Sequence, residues 1–250
     1  MKRPIREFLG AAQFLTRIPL PQRWLGELAL AQTAPYFPLV GVFLGLAGAG
    51  VDVALRTHLP STGAAAASVV FLILITGALH EDGLGDAADG FGGGTTTERV
   101  LGIMRDSRIG SYGAIAIALS IVLRTTFIAA LPDREVFAYF VSAEALSRWS
   151  VLPLAYVLPS ARHGEPTAGQ GARLARAISG PTVVFGTLIA IVASVASLHA
   201  DSWRPWTVCL LISAACGLYF WRRIRGVTGD CFGAVIQLSA TAIYLCGAWR

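Results

Sequence analysis

The stretch "SVVFLILITGALHEDGLGDAADGFGGG", residues 68–94, sets two incompatible solvents side by side. Its first dozen residues suit the interior of a lipid bilayer. The next fifteen, 80–94, hold four carboxylates and six glycines. The whole chain leans toward the first half: of 250 residues 54% are hydrophobic and 14% charged, with mean hydropathy +0.61. Soluble domains carry about 25% charged residues, so the composition predicts an all-α, polytopic helical membrane protein.

A spanning helix needs about 20 mostly apolar residues. Seven stretches meet that need: 36–55, 62–79, 111–131, 136–158, 181–198, 205–221 and 232–249. Residues 1–34 read as an interfacial segment, whose short apolar run is broken by Arg17 and Pro19 and does not suit a cleaved signal peptide. The chain is taken as one integral-membrane domain, with 80–110 as an acidic, glycine-rich catalytic loop. In the first span Gly41, Gly45 and Ala49 recur every four residues, a small-residue face for close helix contact.

Cations orient the spans. Lys2, Arg3, Arg6, Arg17 and Arg23 precede the first. Arg99, Arg105, Arg108, Arg162, Arg173, Arg176, Arg222, Arg223 and Arg225 occupy the even-numbered loops. The opposite side has only Arg56, Arg134, Arg204 and Arg250. By the positive-inside rule the N-terminus and even loops are cytoplasmic, and this asymmetry with anionic lipid headgroups accounts for the net charge of +5. Dispersed arginines give no support to nucleic-acid binding. The four cysteines form no CxxC pair and read as small apolar residues, so neither a disulfide framework nor a zinc site is implied.

Six of fifteen carboxylates fall between Glu81 and Asp106. Asp82, Asp86 and Asp89 are spaced i, i+4, i+7, which on a helix stacks them on one face about 5–6 Å apart. No Lys or Arg occurs from Thr57 to Glu98 to balance them. Hard oxygen donors in such a cluster suit Mg²⁺, with Mn²⁺ as the alternative, and Mg²⁺ commonly completes its shell with substrate phosphates. A solvated polar loop is the plainer alternative. Thr95 to Glu98 has capping-box spacing, so a short helix is predicted to start there and deliver Arg105, Ser107 and Arg108. Arginine forks fit phosphate oxygens, and the glycines from Gly90 to Gly94, Gly92 and Gly93 among them, let backbone N–H groups approach an anion. Carboxylates for metal and arginines for phosphate, so close in sequence, point to phosphoryl transfer.

Further along, Asp230 is either another metal ligand or a helix N-cap. Glu144 and Arg148, i and i+4, either neutralise each other or leave Arg148 to meet an anionic substrate. His80 is either a structural residue or a base. Arg124, mid-span, has no evident mate.

At these residues the sequence resembles the cobalamin synthase family, the adenosylcobinamide-GDP ribazoletransferases. The matches are "FLTRIPLP" at 14–21, "YFPLVG" at 36–41, "HEDGLGDAADGFGGG" at 80–94, "IMRDSRIGSYG" at 103–113, "SRW" at 147–149 and "GVTGD" with "GA" at 226–234. The resemblance implies a Mg²⁺-dependent, multi-pass enzyme of the bacterial inner membrane with its site facing the cytoplasm. It would join adenosylcobinamide-GDP to α-ribazole or α-ribazole 5′-phosphate and release GMP. It implies Asp82, Asp86, Asp89 and Glu81 as catalytic carboxylates, with Asp82, Asp86, Asp89 and Asp230 as metal ligands. Arg105, Asp106, Ser107, Arg108, Arg148, Gly92 and Gly93 would bind substrate. Homo-oligomers, or association with other enzymes of the pathway, are compatible with it. Position 237 holds Gln where a carboxylate is equally expected.

Two rival readings share part of this chemistry. A CDP-alcohol phosphatidyltransferase also clusters aspartates at a membrane face, but after Asp86-Ala-Ala-Asp89-Gly no DxxxD follows. A cation-coupled transporter would place its acids near the bilayer midplane; here they follow the end of an apolar run.

Overall fold

In a computed structural model, which describes residues 2–25, 28–106, 108–162 and 169–249, the predicted small-residue face does its expected work. Helix α1 (Arg3–Leu15) is followed by two single-turn helices, α2 (Gln22–Leu25) and α3 (Leu30–Thr33), and then by α4 (Phe37–Arg56). A side chain on Gly41 would run into the Glu144 carbonyl, and one on Gly45 would stand 2.6 Å from the Phe140 carbonyl. Both partners lie on α9 (Val136–Trp149), so the two backbones touch where bare glycine permits it. Ala49, one turn on, is fully buried.

The helices α5 (Ser61–Thr76), α6 (Leu79–Gly93), α7 (Thr97–Ile103), α8 (Ser111–Ala129), α10 (Val151–Val157), α11 (Gln170–Ala177), α12 (Gly180–Leu198), α13 (Trp203–Ile224) and α14 (Gly229–Ala248) complete the bundle. Among the described residues no strand forms beyond an isolated bridge between Ser160 and Val227. The protein is all-α, and its long apolar helices make it a membrane protein. Among the described residues four segments qualify by length and apolarity to cross a bilayer, or five if α5 and α6, bent by 89°, count as one broken span. One of the four, Gly180–Ile224, is a hairpin rather than a rod. Trp206 Nε1 donates to Ser194 Oγ at 2.8 Å, whereas twelve residues of straight helix would separate them by about 18 Å. The reversal falls at His199, whose φ is 49°.

Three expectations need correcting. The apolar run of 62–79 does not surface before the acids begin. It stops at Gly77 and Ala78, both left-handed at φ 65° and 57°, in a Schellman-type end where the Ala78 N–H reaches the Ile73 carbonyl at 2.8 Å. Arg17 lies directly on Gly77, filling the space a Cβ would need. Nor is 80–110 a loop: its first part is α6, laid inside the bundle. Glu81 meets Arg124 on α8, while Asp89 meets Gly110 and Gly113 at that helix's start. Thus α6 runs antiparallel to α8, with Glu81 about 12 Å along α6 from the Asp89 contact at the start of α8. The capping expectation shifts by one residue as well: Thr96, not Thr95, caps α7, accepting from the Arg99 N–H.

Replacing Gly45 with Val should cost about 3 kcal/mol through overpacking against the α9 backbone. Gly50→Ala, with nothing within 4 Å of the new carbon, should be neutral or stabilising by up to about 1 kcal/mol. Unfolding midpoints of the two variants in detergent test the difference.

Candidate active site

The position of α6 follows from its glycines. A Cβ on Gly83 would lie 3.1 Å from the Gly233 Cα and 3.3 Å from the Asp230 backbone, so α6 and α14 meet glycine to glycine. Gly85 accommodates Ile117 of α8, and Gly90 accommodates Met104. Gly92, expected to offer its N–H to an anion, sits instead under the Tyr112 ring, and a Cβ on Gly93 would lie 3.3 Å from Ile103. Both occupy the last turn of a helix, which presents carbonyls rather than N–H groups. Arg223 serves that end of α6: Nη2 donates to the Gly94 carbonyl at 2.6 Å and to the Phe91 carbonyl at 3.2 Å.

The helix periodicity predicted for Asp82, Asp86 and Asp89 is realised, yet the three have different surroundings. Asp89 is buried. Its carboxylate accepts the Gly110 N–H at 2.7 Å and the Gly113 N–H at 2.9 Å, capping the positive end of α8. Asp86 is half-buried and feels the like charges of Asp230, Asp82 and Asp89, with Arg162 the opposing charge. Asp82 is exposed and lines a cavity of about 940 Å³. Asp230, in the first turn of α14, lines the same cavity. It is not the cap of α14; Thr228 is, accepting from the Cys231 N–H at 3.3 Å and donating to Asp230 Oδ2 at 3.1 Å.

Behind this face lies a layer of charge deep in the bundle. Arg124 finds its mate in Glu81, Nη2 to Oε1 at 2.8 Å, with both side chains at most 6% exposed. Arg148 pairs with Glu144 at 2.5 Å, and the Tyr244 hydroxyl donates to Glu144 at 3.1 Å. Ser120 donates to Gln237 Oε1 at 3.1 Å. Buried ions survive only when paired, so Glu81 and Arg148, expected to meet substrate, are engaged with partners outside the large cavity. His80 is buried at the border between cavity and charged layer.

The second signature is placed differently from its reading in the sequence. Arg108 is exposed and turned back on Asp106, Nη2 to Oδ2 at 2.6 Å. Its donors hold the Asp106 carboxyl down at about 2, so the pair stays ionised at any physiological pH. Neither residue lines the cavity, nor does Arg105; Ser107 lies outside the described residues. The sequence reading passed over the cations that do line it, Arg162 and Arg173, and the N-terminal wall of Gly10, Gln13, Phe14, Leu25 and Leu28. The "FLTRIPLP" stretch was the signal available for that wall.

The donor set on this face is all oxygen and short of compensating charge, which fits a hard divalent cation. Among the described residues no three His, Cys, Asp or Glu side chains converge closely enough to hold a metal alone. A Mg²⁺ here would draw remaining ligands from water or substrate, as is usual for that ion.

The family described as cobalamin-5-phosphate synthase matches residues 7–248. The chain belongs to that family. Similar proteins named adenosylcobinamide-GDP ribazoletransferase include one from Polaromonas naphthalenivorans, 36% identical over 96% of both chains. One from Brucella anthropi is 37% identical over 96% of this chain and 95% of its own. One from Vibrio parahaemolyticus is 35% identical over 95% and 90%. No solved structure matches significantly. Family membership makes this protein a transferase of cobalamin synthesis, and the acidic face on α6 and α14 is where the fold offers a site.

Arg124→Gln should leave the Glu81 carboxylate buried without a counter-ion, a loss of about 3–5 kcal/mol. Glu81→Gln combined with Arg124→Gln removes both charges together and should regain most of that loss. Denaturant or thermal unfolding in detergent reads both.

Proposed function

We infer that this protein transfers the cobinamide-phosphate part of adenosylcobinamide-GDP to α-ribazole or α-ribazole 5′-phosphate, releasing GMP. The observation that carries the reading is the pair of Asp82 and Asp230 on the wall of a cavity whose other walls bring two arginines, with the like charge of Asp86 beside them. Relatives along nearly the whole chain bear the name of this activity.

In the proposed reaction a ribose hydroxyl oxygen of the ribazole, one left free when the 5′ position carries a phosphate, forms a bond to the phosphorus attached to cobinamide. The P–O bond to the bridging oxygen breaks, and that oxygen leaves on GMP. Asp82 and Asp230 on the cavity wall would hold Mg²⁺ together with water and substrate oxygens, in the negative field that Asp86 adds; such an ion supplies charge neutralisation for the diphosphate and the departing phosphate. The hydroxyl proton passes to a carboxylate facing the cavity, Asp82. Glu81 and Asp89 are poorly suited to that task, being tied to Arg124 and to the α8 amides. Asp89 instead positions: it joins the acidic helix to the start of α8. A cavity of this size suits a nucleotide rather than a corrin ring, which would remain at the membrane surface. The concentration of Lys and Arg in the N-terminal segment and even loops supports a site facing the cytoplasm, in a bacterial inner membrane.

Purified protein in liposomes, given adenosylcobinamide-GDP, α-ribazole and Mg²⁺, should release GMP. CMP from CDP-diacylglycerol and an alcohol, with no GMP, would transfer the protein to the phosphatidyltransferase reading. Asp82→Asn and Asp86→Asn should each lower kcat at least about 10³-fold with the protein still in the membrane, because each removes a charge the phosphoryl-transfer site is built on. Near-normal turnover in both would remove the metal reading.

A further inference from the structure

Arg162 is held in place by its backbone more than by its side chain. The chain at 159–162 runs beside 226–228, with the Ala161 N–H on the Val227 carbonyl and the Val227 N–H on the Pro159 carbonyl, both at 2.9 Å. Gly226 leaves no room for a Cβ against Pro159. The Arg162 N–H bonds Ser160 Oγ at 3.2 Å, and Arg176 Nη2 clasps the Arg162 carbonyl at 2.9 Å. So built, the strap carries the guanidinium to the first turn of α14. There its fork is largely unspent. Nη2 stands 3.6 Å from Asp230 Oδ2, beyond hydrogen-bond length, and Nε is buried with no hydrogen-bond partner.

A second arginine arrives by a separate route. Gly171, in the first turn of α11, is packed on Gly229 so closely that a Cβ would strike its backbone. That contact fixes α11 against the start of α14 and places Arg173 on the cavity wall. The backbone from Thr228 to Asp230 lines the same cavity, so the positive end of a twenty-residue helix contributes too. An arginine with an unpartnered guanidinium nitrogen, a second arginine and a helix N-terminus thus line one cavity with Asp82. Planar forks with aligned amides select phosphate oxygens.

We propose that Arg162 and Arg173, with the N-terminus of α14, form the phosphate-binding wall of this cavity and take a phosphate group of the nucleotide substrate. The site deepens the transferase reading and rests on it for the ligand's identity; the geometry alone carries the chemical class. It assigns phosphate recognition to Arg162 and Arg173 rather than to Arg105, Arg108 or Arg148.

The probe is inorganic pyrophosphate, titrated calorimetrically with Mg²⁺ into the detergent-solubilised full chain. The Arg162→Gln, Arg173→Gln double variant should bind at least about 30-fold more weakly, the scale expected for losing charged hydrogen bonds. Arg162→Lys should recover part of the loss. Arg222→Gln, which removes an equal charge from an exposed position outside the cavity, should bind like the unaltered protein. In turnover the arginine variants should raise KM more than they lower kcat. A raised KM for adenosylcobinamide-GDP places its diphosphate on this wall, and a raised KM confined to ribazole 5′-phosphate places that monoester there. Unchanged pyrophosphate affinity in the double variant overturns the proposal, as does a fall in kcat alone, which would reduce Arg162 to a holder of Asp230. Should the unaltered protein release no GMP yet bind pyrophosphate through these arginines, the transferase reading fails and the anion site stands.

Discussion

The contact between Gly83 and Gly233 is the constraint on which the rest of the site depends. With no side chain on either, α6 comes near enough to α14 for Asp86 to feel the charge of Asp230. Any wider spacing would separate the two carboxylates and give Asp82 a different wall to face. The glycine content of α6, which weakens an isolated helix by about 1 kcal/mol per residue against Ala, is offset here by contacts that only bare backbone can make. Helix propensity is surrendered so that a charged helix fits inside an apolar bundle.

The bundle treats charge by one rule nearly everywhere. Arg124 has Glu81, Arg148 has Glu144, and Arg56 bridges the buried Asp52 to Asp133. Asp89 has two amides and a helix end. Each pair keeps the low-dielectric interior close to neutral, as it must where an unpaired ion is costly. The face of Asp82, Asp86 and Asp230 is the exception, with Arg162 as its nearest relief at a distance too long for a hydrogen bond. A surface left unbalanced within so balanced a frame is one whose missing charge arrives with the ligand.

Much of the frame was legible from residue order. The apolar stretches are helical, and the four-residue recurrence of Gly41, Gly45 and Ala49 marked the face that α9 meets. The i, i+4, i+7 spacing of the aspartates also holds. Periodicity reports only which residues share a face, however. It could not show that the chain turns within the bundle at Gly77 and Ala78, so 80–110 read as a surface loop when much of it is helix. The partner of Arg124 lies 43 residues away and that of Asp89 lies 21 and 24 away, separations that leave no local pattern. Arg162 and Arg173 were seen only as orienting charges, because neighbourhood with Asp230 arises from the strap at 159–162 and from Gly171 against Gly229. The capping-box spacing pointed to Thr95, and the structure caps α7 with its neighbour Thr96.

Helix α6 is gripped along three sides, by Gly83 on α14, by Glu81 and Asp89 on α8, and by Arg223 at its end. A helix advances about 100° per residue. Adding or removing one residue between Glu81 and Gly85 would therefore swing every later side chain more than a quarter-turn, taking Asp86 away from Asp230 while Gly85 and Gly90 lost their neighbours. The length of this segment is as strictly set as its chemistry, and natural variation in the chain's length should be confined to the connections between helices.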